Sequence, residues 1–536
     1  MSKGADQYPR LIQAVMQAWT RQDFPAAEQA ARAVLALRAE DPDAHQILGV
    51  LALQRGDPAR AYQHLQRAAN AAPSQPQIFN LLGVAARQLD DLEQARAAFS
   101  RAGALGLSDG WRNLGELASA EGRVSEALAA FEKAVALAPN SAPANAALAL
   151  ALERRHDLAR AKTHAERALR ADTNSQTARL ALGQIALRER DFAGARAVLS
   201  GLVENPRATA ANRAIALGLI GEAHDREGAP DDAFAAFTAA NQALLSVYGP
   251  YRDMTASPFH PAAVARLRAL VESGAIAAAD GAVAEAPVFL VGFPRSGTTL
   301  LDQVLASHPH IVALEERDIF APAMADFIVS DAGVAALPGA GADVLAARRA
   351  QYWRAADAAL GAPRGGRLLL DKLPLNIIFL PLIARVFPGA KIIVALRDPR
   401  DVILSCYQQR FGMNPAMAQL LELETAARYY DAVMGHYLSC RERLGLALHE
   451  VRYEDVVADL EGAARKLAQF LSLRFEPAML DFTATAKKRD IGTPSARQVI
   501  EPLYTRSIGR WRGYAQHLAP ALPVLNAWAS RFGYQA

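Results

Sequence analysis

The chain changes its hydrophobic rhythm once, near residue 286. Before that point apolar residues recur three and four apart in short blocks. Polar turns such as Arg55-Gly56-Asp57-Pro58 and Arg155-His156-Asp157 separate the blocks. That period predicts paired amphipathic helices. After it, apolar runs of strand length alternate with helical segments: Val288–Val291, Arg367–Leu370, Lys391–Leu396 and Leu446–Val451. Short buried runs separated by amphipathic helices predict βαβ units and a mainly parallel sheet covered on both faces.

Self-comparison gives the helical half a period. Ala27, Ala61 and Ala95 fall 34 residues apart, and after a short slip so do Ala127, Ala161 and Ala195. A second register runs through Gly49, Gly83, Gly115, Ala149 and Gly183. Small residues recur because paired helices must approach closely at fixed points. This pattern resembles the tetratricopeptide repeat over residues 9–248, about seven units, the last stretched so that Gly221 and Ala233 come 38 after their predecessors. The resemblance implies an α-helical solenoid whose concave face binds a protein or peptide.

A chain of 536 residues exceeds one core. The expected division is an array at 1–248, a connector at 249–285 and an α/β domain at 286–536. A net charge of +3, with no long one-sign block, argues against a nucleic-acid partner, so any anion site has to be local. Cys406 and Cys440 are the only cysteines, which predicts neither a disulfide framework nor a zinc site. With no apolar signal core near Met1 and no run long enough to span a membrane, cytoplasmic residence is expected.

The chemistry concentrates at the ends of the strands. The run Val288–Val291 passes through Gly292-Phe293-Pro294-Arg295-Ser296-Gly297-Thr298-Thr299 into a helical segment. This is the layout of a phosphate-cradling loop, with backbone N–H groups and a helix N-terminus facing an anion. The nucleoside-triphosphate version needs Lys after its second glycine. Thr298 stands there instead, and Arg295 is the nearest cation. A kinase is therefore disfavoured. Arg397 follows the third run and Ser405 lies eight residues on, a planar fork and a hydroxyl able to converge on a second phosphate. Asp371-Lys372 and Arg452-Tyr453 follow two further runs, and Glu315-Glu316 lies downstream of the loop helix.

At these residues the chain resembles the sulfotransferases that use 3′-phosphoadenylyl sulfate (PAPS), and most of all the protein-tyrosine sulfotransferase branch. Pro294-Arg295-Ser296-Gly297-Thr298-Thr299 and the Glu pair after His308-Pro309 carry the likeness, over about residues 286–515. The resemblance implies a P-loop-like fold, PAPS as sulfuryl donor and no metal. By position, Arg295 to Thr299 would hold the 5′ phosphosulfate, with Arg295 offsetting leaving-group charge. Arg397 and Ser405 would hold the 3′ phosphate, and Tyr453 and Arg510 would contact the nucleotide. Glu316 would be the general base, with Glu315 its competitor, and Lys372 and Ser495 would stabilise the transferring group. Gln409 replaces a phosphate-contacting Arg of the animal enzymes, with Arg410 adjacent; Ala313 replaces a disulfide Cys; and Arg317-Asp318 displaces an acceptor-contacting Arg. The expected acceptor is protein tyrosine. A carbohydrate or small hydroxyl acceptor is the alternative, and a repeat scaffold with a vestigial catalytic domain is a third reading.

Overall fold

A computed structural model of the chain describes residues 7–276, 283–489, 503 and 505–535. Two compact units emerge, residues 1–198 and 199–536. The first is built of antiparallel helix pairs, from Gln7–Thr20 and Phe24–Leu37 onward. Aspartates that end the turns cap the next helix: Asp23, Asp57, Asp91 and Asp157 each accept the backbone N–H three residues on. The small residues sit where the period places them. A Cβ added to Gly49 would lie 2.6 Å from Leu65, one on Gly83 2.6 Å from Phe99, and one on Gly115 2.5 Å from Phe131. Each partner lies sixteen residues downstream, on the second helix of the same pair.

The second unit opens with one more pair, Ala210–Arg226 and Pro230–Tyr248, closed by the same device: Gly221 lies against Phe237. A helix Pro261–Glu272 follows. Five strands then form one parallel sheet: β1 (Val288–Gly292), β2 (Ile311–Glu315), β3 (Leu368–Lys372), β4 (Lys391–Leu396) and β5 (Ala447–Arg452), in the order β2-β3-β1-β4-β5. The period-2 alternation of side chains splits the core in two. Phe289, Val291, Leu369, Ile392 and Val394 face one layer, with Tyr352, Phe387 and Tyr430. Val288, Leu290, Leu370, Ile393 and Val451 face the other, with Leu301, Val304 and Leu467. The result is a three-layer α/β/α domain, and β2 is a fifth strand beyond the four runs read in the sequence. Among the described residues no helix is long and apolar enough to cross a membrane.

Candidate active site

All five strands end at one edge, where open parallel sheets bind ligands. Leaving β1, the chain turns at Gly292, whose Cβ would stand 2.7 Å from the Ala395 carbonyl oxygen of β4. Arg295 then takes a left-handed φ of +70°. A side-chain-bearing residue pays about 1–3 kcal/mol for that conformation. Gly297, at φ +101°, runs so close to Tyr453 that a Cβ would stand 2.9 Å from the ring. Ser296, Thr298 and Thr299 are buried where the helix Thr298–Ala306 begins. The first-turn N–H groups of any helix lack intrahelical acceptors, so this end of the loop suits an anion.

Four expected site residues meet beside this loop. Arg295 Nε donates to Ser405 Oγ at 3.0 Å. Arg397 is buried, donates Nη1 to the Arg295 carbonyl at 3.1 Å and Nη2 to the Ser507 carbonyl, and stacks 4.8 Å from the Tyr453 ring centre. Its Nε is also buried and has no hydrogen-bond partner among the described residues. Asp398 caps the following helix, Pro399–Gln408, fixing the turn that carries Arg397 and setting Ser405 on the second turn. Cys406, next on that helix, donates to the Pro294 carbonyl at 3.4 Å. Burial pushes its thiol up to about 12, so it is packing rather than a nucleophile.

A second group forms at the ends of β2 and β3. Lys372 has no exposed surface, and its Nζ donates to Glu315 Oε1 at 3.1 Å and Glu316 Oε1 at 2.9 Å. A buried ammonium requires such partners. Glu316 extends the ladder by donating its N–H to the Lys372 carbonyl at 2.8 Å, then leaves it at φ +47°. The Glu315 side chain is 11% exposed and that of Glu316 35%, so Glu316 is the one an incoming group can reach. Asp302, wholly buried on the loop helix, accepts from Gln303 and from Arg489 at 2.9 Å. Burial raises its carboxyl, opposed by the charges of Arg489 and Lys372.

Arg510 is placed differently from the others. Its Nη2 pairs with Asp225 Oδ2 at 2.5 Å. Its turn, Arg510–Tyr514, is tied to the Ser405 helix through Asp401, which accepts from the Gly509 and Trp511 backbone N–H groups at 2.6 and 2.8 Å. Arg410 lies against Gly218. Ser495 lies outside the described residues.

The edge thus gathers Arg295, Arg397 and Ser405 beside the loop and, next along the sheet, a lysine–carboxylate cluster. Residues 287–477 match the model of the Sulfotransferase family. Residues 108–141 and 146–210 match Tetratricopeptide repeat models, and 20–102 match Anaphase-promoting complex, cyclosome, subunit 3. The chain carries a sulfotransferase-family domain behind tetratricopeptide repeats. An uncharacterized protein of Aquifex aeolicus is 28% identical over 61% of this chain and 43% of its own length. The protein-tyrosine sulfotransferase of Drosophila melanogaster is 25% identical over 45% of this chain and 51% of its own. Protein-tyrosine sulfotransferase 1 of Danio rerio is 26% identical over 46% and 72%. The chain thus spans about half the length of the first two relatives.

Within the sulfotransferase-family domain, sequence reasoning named Asp371 beside Lys372 but gave it no role. On β3 it points away from Lys372, into the opposite core layer, where Tyr352 donates to its Oδ2 at 2.8 Å. Its other oxygen is buried without a partner among the described residues. The available signal was a carboxylate inside an otherwise apolar run. Burial pushes this carboxyl up to about 7, with the Tyr352 hydrogen bond opposing. An unfolded Asp titrates near about 4. Between those values the folded chain binds more protons than the unfolded one, so stability falls as pH rises from about 4 to about 7. Asp371→Asn removes that dependence while keeping an acceptor for Tyr352. The variant's unfolding free energy relative to the parent is expected to rise across that window in urea titrations; a difference flat with pH would contradict it.

Proposed function

We propose that the protein moves a sulfuryl group from PAPS to an acceptor hydroxyl, with tyrosine of a protein or peptide as the favoured acceptor. The observation that carries this reading is the Arg295–Ser405–Arg397–Tyr453 cluster beside a phosphate loop that lacks the kinase lysine. A 5′ phosphosulfate suits the loop and helix end. A 3′ phosphate on the same ribose suits Ser405 and Arg397, whose Nε is a buried donor without a partner among the described residues. Gly297 lets the backbone close on Tyr453, whose ring suits packing against a nucleotide.

In this reading the acceptor oxygen attacks sulfur as its proton passes to a Glu316 Oε. The new O–S bond forms while the S–O bond to the 5′ phosphate breaks, and adenosine 3′,5′-bisphosphate leaves. Sulfuryl transfer of this kind depends on in-line positioning and on fixed positive charge at the equatorial and leaving oxygens. Lys372 supplies charge on the acceptor side and Arg295 on the leaving side. A tyrosine hydroxyl, with pKa about 10, needs a positioned carboxylate to accept its proton during attack. The repeat array suits capture of a protein or peptide acceptor.

The test is equilibrium binding of adenosine 3′,5′-bisphosphate in the absence of divalent metal, followed by transfer of labelled sulfate from PAPS to a tyrosine peptide. Tight metal-independent binding and peptide labelling are expected. Equally tight ATP binding would overturn the donor assignment, and labelling of glycans or lipids alone would overturn the tyrosine acceptor.

A further inference from the structure

The pair Ala210–Arg226 and Pro230–Tyr248 is a repeat hairpin by its sequence, yet it makes side-chain contacts to the α/β domain, within residues 199–536. Asp225, at the end of its first helix, accepts two hydrogen bonds from one turn of that domain. Arg510 Nη2 binds Oδ2 at 2.5 Å and the Tyr514 hydroxyl binds Oδ1 at 2.5 Å. On the second helix, Asp231 meets His517 at 2.7 Å and Phe234 stacks on the His517 ring at 4.3 Å. Thr238 bonds the Tyr407 hydroxyl at 2.9 Å, and Asn241 donates to the Tyr407 carbonyl at 3.0 Å. Tyr407 lies two residues past Ser405 on the same helix. Ala233 and Phe237 belong to the apolar core that backs the sheet.

We infer that this hairpin is a structural part of the donor site and that Asp225 is a positioning residue, acting through Arg510. The inference rests on the PAPS reading, in which Arg510 contacts the nucleotide. An arginine side chain is long, and each rotatable bond left free must be frozen when it engages a phosphate. The Asp225 carboxylate holds one nitrogen of the Arg510 fork and so fixes the plane of the guanidinium. The carboxylate also costs something, since its negative charge opposes an incoming anion. At a pair whose side chains are 35% and 20% exposed, solvent weakens that opposition. Ordering of the fork therefore wins, and removing Asp225 weakens donor binding.

The experiment is a double-mutant cycle in the full chain, with Asp225→Ala, Arg510→Ala and the double variant, reading adenosine 3′,5′-bisphosphate affinity by calorimetry. Asp225→Ala is expected to weaken binding several-fold, Asp225→Glu to restore part of it, and Asp225→Ala to cost nothing further once Arg510 is Ala. Unchanged or tighter binding in Asp225→Ala overturns the inference, the tighter result marking a competing counter-ion. An equal loss in both backgrounds also overturns it, because Asp225 would then act on the fold rather than through Arg510. If the parent chain itself fails to bind the bisphosphate, the PAPS reading falls and this inference with it; parent binding with an insensitive Asp225→Ala sinks the inference alone.

Discussion

Glu316→Gln is expected to slow sulfuryl transfer about 10²- to 10⁴-fold, the range that a positioned general base contributes, while bisphosphate affinity stays within about twofold. Gln keeps the shape and an acceptor for Lys372 Nζ, now 2.9 Å from Glu316 Oε1, but cannot take the acceptor's proton. Single-turnover transfer of labelled sulfate, run beside calorimetric bisphosphate binding, separates the two quantities. Glu315→Gln provides the contrast. Its carboxylate is the more enclosed of the two, and it faces Lys372 in strand register. Losing it disturbs the counter-charge of a buried ammonium rather than the proton acceptor. A larger loss of transfer in Glu315→Gln than in Glu316→Gln would reverse the assignment of base and partner.

Arg397→Ala is expected to weaken bisphosphate binding about 30- to 150-fold. That corresponds to about 2–3 kcal/mol, as for a charged hydrogen bond in a buried site. The variant also strips the Arg295 carbonyl of a donor and Tyr453 of its stacked cation. Arg397→Lys should recover little of the loss, because a single-point ammonium lacks the planar fork that spans the Arg295 and Ser507 carbonyls. Affinity unchanged in Arg397→Ala would place the second phosphate elsewhere.

Much of this site was legible because its signals are local. Gly292, Arg295, Gly297 and the paired threonines stand within eight residues, directly after an apolar run, so strand, turn and helix could be read together. Arg397 and Ser405 needed only one strand and one helix between them. The fold class followed from the change of hydrophobic period. The strand Ile311–Glu315 was harder to see: its apolar run, Ile311–Leu314, begins only a short turn after the loop helix Thr298–Ala306, so the two apolar stretches adjoin. The left-handed backbone at Arg295 and Glu316 has no sequence signature in a residue that carries a side chain. The Asp225 contacts to Arg510 and Tyr514 were invisible for a different reason. They join residues 285 and 289 apart, and nothing in either segment names the other.

The glycine contacts of the helical pairs set a rule for how the length of this chain can vary. Gly49, Gly83 and Gly115 each close their own pair on Leu65, Phe99 and Phe131, so one whole period can be duplicated or lost without disturbing the closure of the next. Gly221 closes the final pair on Phe237 in the same way, but Phe237 also fills the core behind the sheet. That pair has two owners. Units upstream are free to multiply, whereas a graft of this sulfotransferase-family domain onto another scaffold must take residues 210–248 along with it.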